Sequence, residues 1–140
     1  MKKTTLICSI LLLSVMYSFA QKPKVLGKYY DSGFYSKYWY LGIISETDNG
    51  RYYIIHDDGY AKWYDNRRAI VPFKTVAETG VNEGDRVLAR YYDSGSNSKY
   101  WYQATVEAVD GRRVYVIYDD GDKKWHTDMN TIVKFKTLAN

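Results

Sequence analysis

Residues 25–77 and 87–139 are two versions of one sequence. Displacing the chain by 62 residues, the offset between Tyr29 and Tyr91, aligns YYDSGFYSKYWY with YYDSGSNSKYWY. The same shift superimposes Asp58 on Asp120, Gly59 on Gly121, Trp63 on Trp125 and Phe73 on Phe135, without a gap. About half of the aligned positions are identical. Chance likeness of two tyrosine-rich strands does not give ungapped agreement of that length, so the pattern is a tandem duplication. It predicts two similar units, residues 21–77 and 78–140, behind a leader of residues 1–20. TVAETGVNEGD, residues 75–85, mixes glycine and charge with little apolar content and is the natural linker.

The leader reads as an export signal. Lys2 and Lys3 precede an apolar run from Leu6 to Tyr17, and Ser18-Phe19-Ala20 forms a small-x-small cleavage site before Gln21. The run is shorter than the roughly 20 residues that span a bilayer, so cleavage is expected, with no transmembrane segment left behind. Cys8 sits inside the run and not at its end, which argues against a lipidated mature N-terminus. The pattern is of bacterial type and predicts a periplasmic or secreted protein. Cleavage removes the single cysteine, so disulfides and thiol chemistry go with it. Loss of Lys2 and Lys3 leaves 18 Lys and Arg against 16 Asp and Glu, a net charge of +2. Both signs are interspersed, which makes nucleic acid an unlikely partner.

Each copy is rich in strand formers. VLARYY, YWYQATVEAV and RRVYVIYDD are β-branched and aromatic runs broken by Gly, Asp, Asn and Ser. DDGY and DDGD fit tight hairpin turns in which glycine takes a positive φ. IVPFK and IVKFK each supply a closing strand, and Pro72 suits an edge where no amide donor is needed. Five short strands in about 55 residues point to a small barrel, which at this size and without disulfides is only marginally stable alone. The two copies are therefore expected to pack on each other.

The series GDRVLARYYDSG, KYWYQATV and VYVIYDDGDKKW resembles the Tudor family, in particular its tandem modules, over nearly the whole chain after the leader. The resemblance implies an all-β protein of two tandem five-stranded SH3-like barrels. It also implies an aromatic cage for methylated lysine or arginine at the open end of each barrel. Carried over by position, the first cage is Tyr29, Tyr40, His56, Asp58 and Tyr60, and the second is Tyr91, Tyr102, Tyr118, Asp120 and Asp122. Two positions depart from the family pattern: His56 replaces a hydrocarbon ring, and Asp122 replaces an aromatic residue.

Alternation along the strands supports part of this independently. Tyr100, Tyr102, Ala104 and Val106 share one face of a strand, as do Val87, Ala89 and Tyr91, and Val116, Tyr118 and Asp120. Three aromatic rings and a carboxylate can then converge, an arrangement that attracts a soft cation by about 0.5–2 kcal/mol. The competing reading is that the tyrosines plug the barrel mouth and hydrogen-bond locally. The residues leave both open. On the outward face the first copy shows Trp39, Leu41 and Ile43 where the second shows Trp101, Gln103 and Thr105. That apolar stripe is expected to meet the other barrel or a partner.

Catalytic patterns are missing from the sequence. His56 aligns with Tyr118 and His126 with Tyr64, so the histidines do not look like a repeated device. Asp57-Asp58 and Asp119-Asp120 are strand neighbours pointing to opposite faces, which is no acid/base dyad, and their spacing is not that of a calcium loop. No nucleophile triad or phosphate-cradling glycine motif is present. The expectation is a non-enzymatic binding module without cofactor or metal, recognising a peptide or protein through a cationic or methylated side chain. Carbohydrate or cell-envelope binding through outward aromatics is the alternative, and a structural accessory subunit is the third class. A histidine in the first cage predicts cation binding that weakens as pH falls near about 6.5, with no such dependence in the second.

Overall fold

The structure, a computed structural model, describes residues 22–30 and 37–139. The leader lies outside these residues, as does the middle of the first YYDSGFYSKYWY phrase. The described chain is all-β, with ten antiparallel strands and only short helical turns.

The first five strands are β1 (Lys24–Lys28), β2 (Trp39–Asp48), β3 (Arg51–His56), β4 (Ala61–Tyr64) and β5 (Ile70–Pro72). A single helical turn, α1 (Val76–Thr79), leads to β6 (Arg86–Arg90), β7 (Tyr100–Asp110), β8 (Arg113–Tyr118), β9 (Lys123–His126) and β10 (Ile132–Lys134). The first half pairs in the order β5-β1-β2-β3-β4, and the second repeats it as β10-β6-β7-β8-β9.

β2 and β7 carry each ladder around a corner. The start of β2 pairs with β1 and its end with β3, and a bulge between Ile44 and Glu46 bends it between the two. β7 has the matching bulge between Val106 and Ala108. Bulges raise local twist, so each ladder wraps around its own core. Val25, Ile54, Tyr64, Ala69 and Ile70 fill the first, and Val87, Ala104, Val106, Val114, Val116 and Ile132 the second.

Closed barrels were expected, and the ladders do not close. No pairing joins β4 to β5 or β9 to β10 among the described residues, and both ladders belong to one ten-stranded sheet. The join is between the halves: β2 pairs with β7 through Trp39 opposite Trp101 and Tyr40 opposite Tyr100. Because Trp39 and Trp101 are equivalent in the repeat, the halves meet about a pseudo-two-fold, as the subunits of an isologous dimer do. β5 is only three residues long and ends in Pro72 at the sheet edge, where the ring offers no donor to a further strand.

A third apolar cluster fills the junction: Leu26, Trp39 and Val71 from one half, Leu88, Trp101 and Val133 from the other. Leu41, Phe73 and Phe135 pack on it. Leu41 of the expected stripe thus lies at the contact, whereas Ile43 is half-buried outside that cluster. The segment after β5 is also packed: Val76 is buried with the second core, and the Thr75 hydroxyl donates to Asn130 Oδ1 at 3.1 Å.

Candidate functional site

The hairpin turns after β3 and β8 bring the acidic residues to the aromatic ones. Gly59 (φ 91°) and Gly121 (φ 95°) take the left-handed conformation that closes each turn. Asp58 Oδ1 accepts the Tyr60 amide at 2.9 Å, and Asp120 Oδ1 accepts the Asp122 amide at 3.0 Å, so each first carboxylate is pinned by its own turn.

In the first half all five expected residues meet. The Tyr29 hydroxyl donates to Asp58 Oδ2 at 2.5 Å. Its ring stacks on Tyr40 with centroids 4.8 Å apart and contacts His56 at 5.3 Å and Tyr60 at 5.2 Å. Tyr29, Tyr40 and His56 are buried, and Tyr60 is exposed at the rim. Burial, then the Asp58 hydrogen bond, pushes the Tyr29 pKa well above its ordinary value. Burial works to raise Asp58, but the Tyr29 hydroxyl and the Tyr60 amide together hold it below the usual carboxylate range. The carboxylate is therefore ionised at the hydroxyl edge of Tyr29.

The second half assembles the same way. Tyr91 contacts Tyr102 at 4.5 Å and Tyr118 at 4.8 Å, and the last two rings lie 6.4 Å apart. The Tyr91 hydroxyl lies 2.9 Å from Asp120 Oδ2 and also touches the Asp122 carboxylate. Asp119 and Asp120 lie in the turn and not in the strand as expected, and Asp119 leaves the cluster for a bidentate pair with Arg86 at 2.7 and 2.8 Å.

The histidines correct the sequence reading. They form one repeated device with its members exchanged. In the first half His56 Nε2 lies 2.7 Å from the Tyr64 hydroxyl, which donates to the Lys28 carbonyl at 2.8 Å. In the second, His126 Nε2 lies 2.9 Å from the Tyr118 hydroxyl, which donates to the Arg90 carbonyl at 2.7 Å. Histidine and tyrosine trade places, and the buried pair under each cluster survives. Burial pushes His56 down and takes His126 to about 4. A histidine-linked pH response of the first cluster therefore belongs below the ordinary imidazole range, and the second cluster has a histidine behind Tyr118 after all.

Residues 22–138 match the family described as Domain of unknown function (DUF4537). The chain belongs to that family. No curated protein matches it. Among solved structures, the DUF4537 chain is similar to the crystal structure of Arabidopsis thaliana AGDP1 AGD34, with a TM-score of 0.53 and 13% sequence identity. The match covers 81% of this chain and 80% of that one. At that identity the likeness concerns the fold alone, which is all-β and Tudor-like.

Four residues of the DUF4537 chain cross between the clusters: Tyr100, which strand patterning placed on the core face, and Tyr38, Lys37 and Lys99, which it did not single out. Tyr38 stacks on Tyr100 at 4.4 Å and meets Tyr102 edge-on at 4.9 Å, while Tyr40 meets Tyr100 edge-on at 5.7 Å. Ring contacts therefore run unbroken from Tyr29 through Tyr40, Tyr100, Tyr38 and Tyr102 to Tyr91. Lys99 lies 5.3 Å from the Tyr40 ring, and Lys37 lies 5.8 Å from the Tyr102 ring. The signal for all four was the conserved spelling SKYWY in both copies, but only the β2–β7 pairing says which ring each one reaches.

Proposed function

We propose that this chain is an exported, non-enzymatic binding module whose two units, residues 21–77 and 78–140, recognise a peptide or protein segment. The group taken is a cationic side chain, methylated lysine and arginine among the candidates, held on the aromatic clusters. One observation carries this reading: in each half, rings from two strands converge on a turn carboxylate that its own hydrogen bonds keep in place. Ring faces and a fixed anion together suit a cation better than any other ligand class. The Tudor-like fold is compatible with it, and the leader over residues 1–20 is the reason for placing the protein in the periplasm or outside the cell.

The test is a peptide array carrying lysine, arginine and their methylated forms, probed with the mature chain and followed by NMR titration of tyrosine resonances. Ring shifts at Tyr29 and Tyr40, or at Tyr91 and Tyr102, are expected with cationic peptides and not with their glutamine versions. Silence toward every cationic peptide defeats the reading.

Carbohydrate binding is the second reading, favoured by one surface feature. Trp125 is 40% exposed and stacks on Tyr115 at 4.9 Å, and Tyr53 and Trp63 form the matching pair at 5.2 Å. The exposed Trp125 ring, which the Arg113 guanidinium also overlies at 4.7 Å, is the surface that a sugar face would meet. Glycan-array signal lost on Trp125→Ala would favour it.

A further inference from the structure

Lys37 and Lys99 are equivalent in the repeat, each sitting in the phrase Ser-Lys-Tyr-Trp-Tyr. Each reaches across the pseudo-two-fold to the other half. The Lys99 ammonium lies 5.3 Å from the ring centre of Tyr40, a member of the first cluster, and 5.5 Å from that of Tyr100. The Lys37 ammonium lies 5.8 Å from Tyr102, a member of the second cluster, and 5.7 Å from Tyr38. All four distances fall within the roughly 6 Å reach of a cation–π contact. A surface lysine that met a ring by accident would not do so twice, at equivalent positions and in exchange.

We propose that each aromatic cluster is occupied from within by the lysine of the opposite half, and that a partner's unmethylated primary ammonium is what displaces it. This rests on the cation-binding reading above and names the ligand and the competitor at that same site.

Three further observations support it. The Tyr29–Tyr40 and Tyr91–Tyr102 rings touch one another, at 4.8 and 4.5 Å between centroids, so no slot remains between them for a quaternary ammonium. The lysines lie over one ring of each touching pair, Tyr40 and Tyr102. The neighbouring Tyr40 hydroxyl raises the Lys99 pKa more than burial lowers it, and a trimethylated nitrogen has no N–H to offer that oxygen.

The lysines also line the two clefts between the halves. Tyr40, Asp57, Asp58, Arg90, Lys99 and Trp101 border one of about 340 Å³. Its counterpart, about 250 Å³, is bordered by Lys28, Lys37, Trp39, Tyr102, Asp119 and Asp120. The clefts differ in one carboxylate. Asp119 is taken by Arg86, whereas Asp57 makes no side-chain hydrogen bond or ion pair with another described residue. Where the second half has Arg86, the first has Lys24, and its ammonium lies over Phe73 instead. Asp57 is left to receive an incoming ammonium, so the first cleft is the one that a partner engages more strongly.

The experiment uses the mature chain with Nα-acetyl-lysine methylamide and its trimethylated form as probes. In the free protein the terminal methylene protons of Lys99 and Lys37 are expected upfield of those of the other lysines, because ring currents shield protons above a ring. Lys99→Met is expected to tighten the lysine probe at least several-fold at Tyr40, and Lys37→Met to do the same at Tyr102. The unmodified probe is expected to bind more tightly than the trimethylated one. Ordinary lysine shifts in the free protein, or wild-type affinity that neither substitution changes, overturn internal occupancy while leaving cation binding intact. Stronger binding of the trimethylated probe overturns the preference for a primary ammonium. Failure of both probes to bind wild type and both variants defeats this inference and the cation-binding reading together.

Discussion

Trp39 of the first half meets Phe135 of the second edge-to-face, with ring centroids 5.6 Å apart and planes at 89°. The repeat-equivalent pair, Phe73 and Trp101, does the same at 5.7 Å and 86°. The halves therefore exchange one aromatic contact each across the junction. Trp39→Ala is expected to destabilise the whole chain by about 3–5 kcal/mol, since it empties a buried site at the shared interface. Urea unfolding should stay a single transition in wild type. A Trp39/Phe135 double-mutant cycle should return a coupling of about 0.5–1.5 kcal/mol.

Stability should fall on acidification through the histidines. His126 has a folded pKa of about 4, below the roughly 6.5 of an unfolded histidine, so its contribution is complete above that value and lost between the two. The loss is on the order of 3 kcal/mol by pH 4, and His56, also pushed down by burial, acts in the same direction. Denaturant midpoints at pH 7.5, 6, 5 and 4.5 should trace this, and His126→Gln should flatten the slope while lowering stability at neutral pH.

Tyr118→Phe keeps the ring of the second cluster but removes the hydroxyl bonded to the Arg90 carbonyl and facing His126. The expected cost is about 1–3 kcal/mol, because a buried carbonyl and a ring nitrogen lose their partner. Any cation binding at Tyr91 and Tyr102 should persist. Tyr118→Ala would confound binding with core loss, so the phenylalanine variant is the one to read by thermal melting and NMR.

Gly42 cannot accept a side chain. A Cβ there would lie 2.7 Å from the Ile55 carbonyl oxygen and 3.0 Å from Ile54 Cγ2. Gly42→Ala should destabilise by about 1–3 kcal/mol in a denaturation curve, although Ala104 occupies the same place in the second half.

Leu41→Gln introduces the residue that the second copy carries at Gln103. Because Leu41 packs on the junction cluster and borders the larger cleft, a loss of about 1–2 kcal/mol is expected. Ile43→Thr, the matching change outside that cluster, should cost less. Equal effects in equilibrium unfolding would remove the distinction.

The all-β class, the repeat and the membership of both aromatic clusters were legible because they depend on local rules. Alternation puts Tyr102 and Ala104 on one face, and Asp-Asp-Gly turns return the chain beside its neighbour. The Tyr29–Asp58 and Tyr91–Asp120 contacts follow from strand pairing within one copy. The exchanged histidines were not legible. Position-by-position comparison sees His56 opposite Tyr118 as a difference, whereas in space each pairs with a residue eight positions further on and keeps the same hydrogen bond.

What the sequence determined by itself, then, is everything that depends on periodicity and on neighbours within a unit: strands, turns, and which rings meet which acid. Only the tertiary structure decided how one unit meets the other. The pairing of Trp39 with Trp101 sets a pseudo-two-fold that sends Lys37 and Lys99 across it and merges two expected barrels into one sheet. The reason is physical. Both copies spell SKYWY identically, so the spelling carries no information on partner. Docking is chosen by burial of the Leu26, Trp39, Leu88 and Trp101 cluster, a property of two surfaces together.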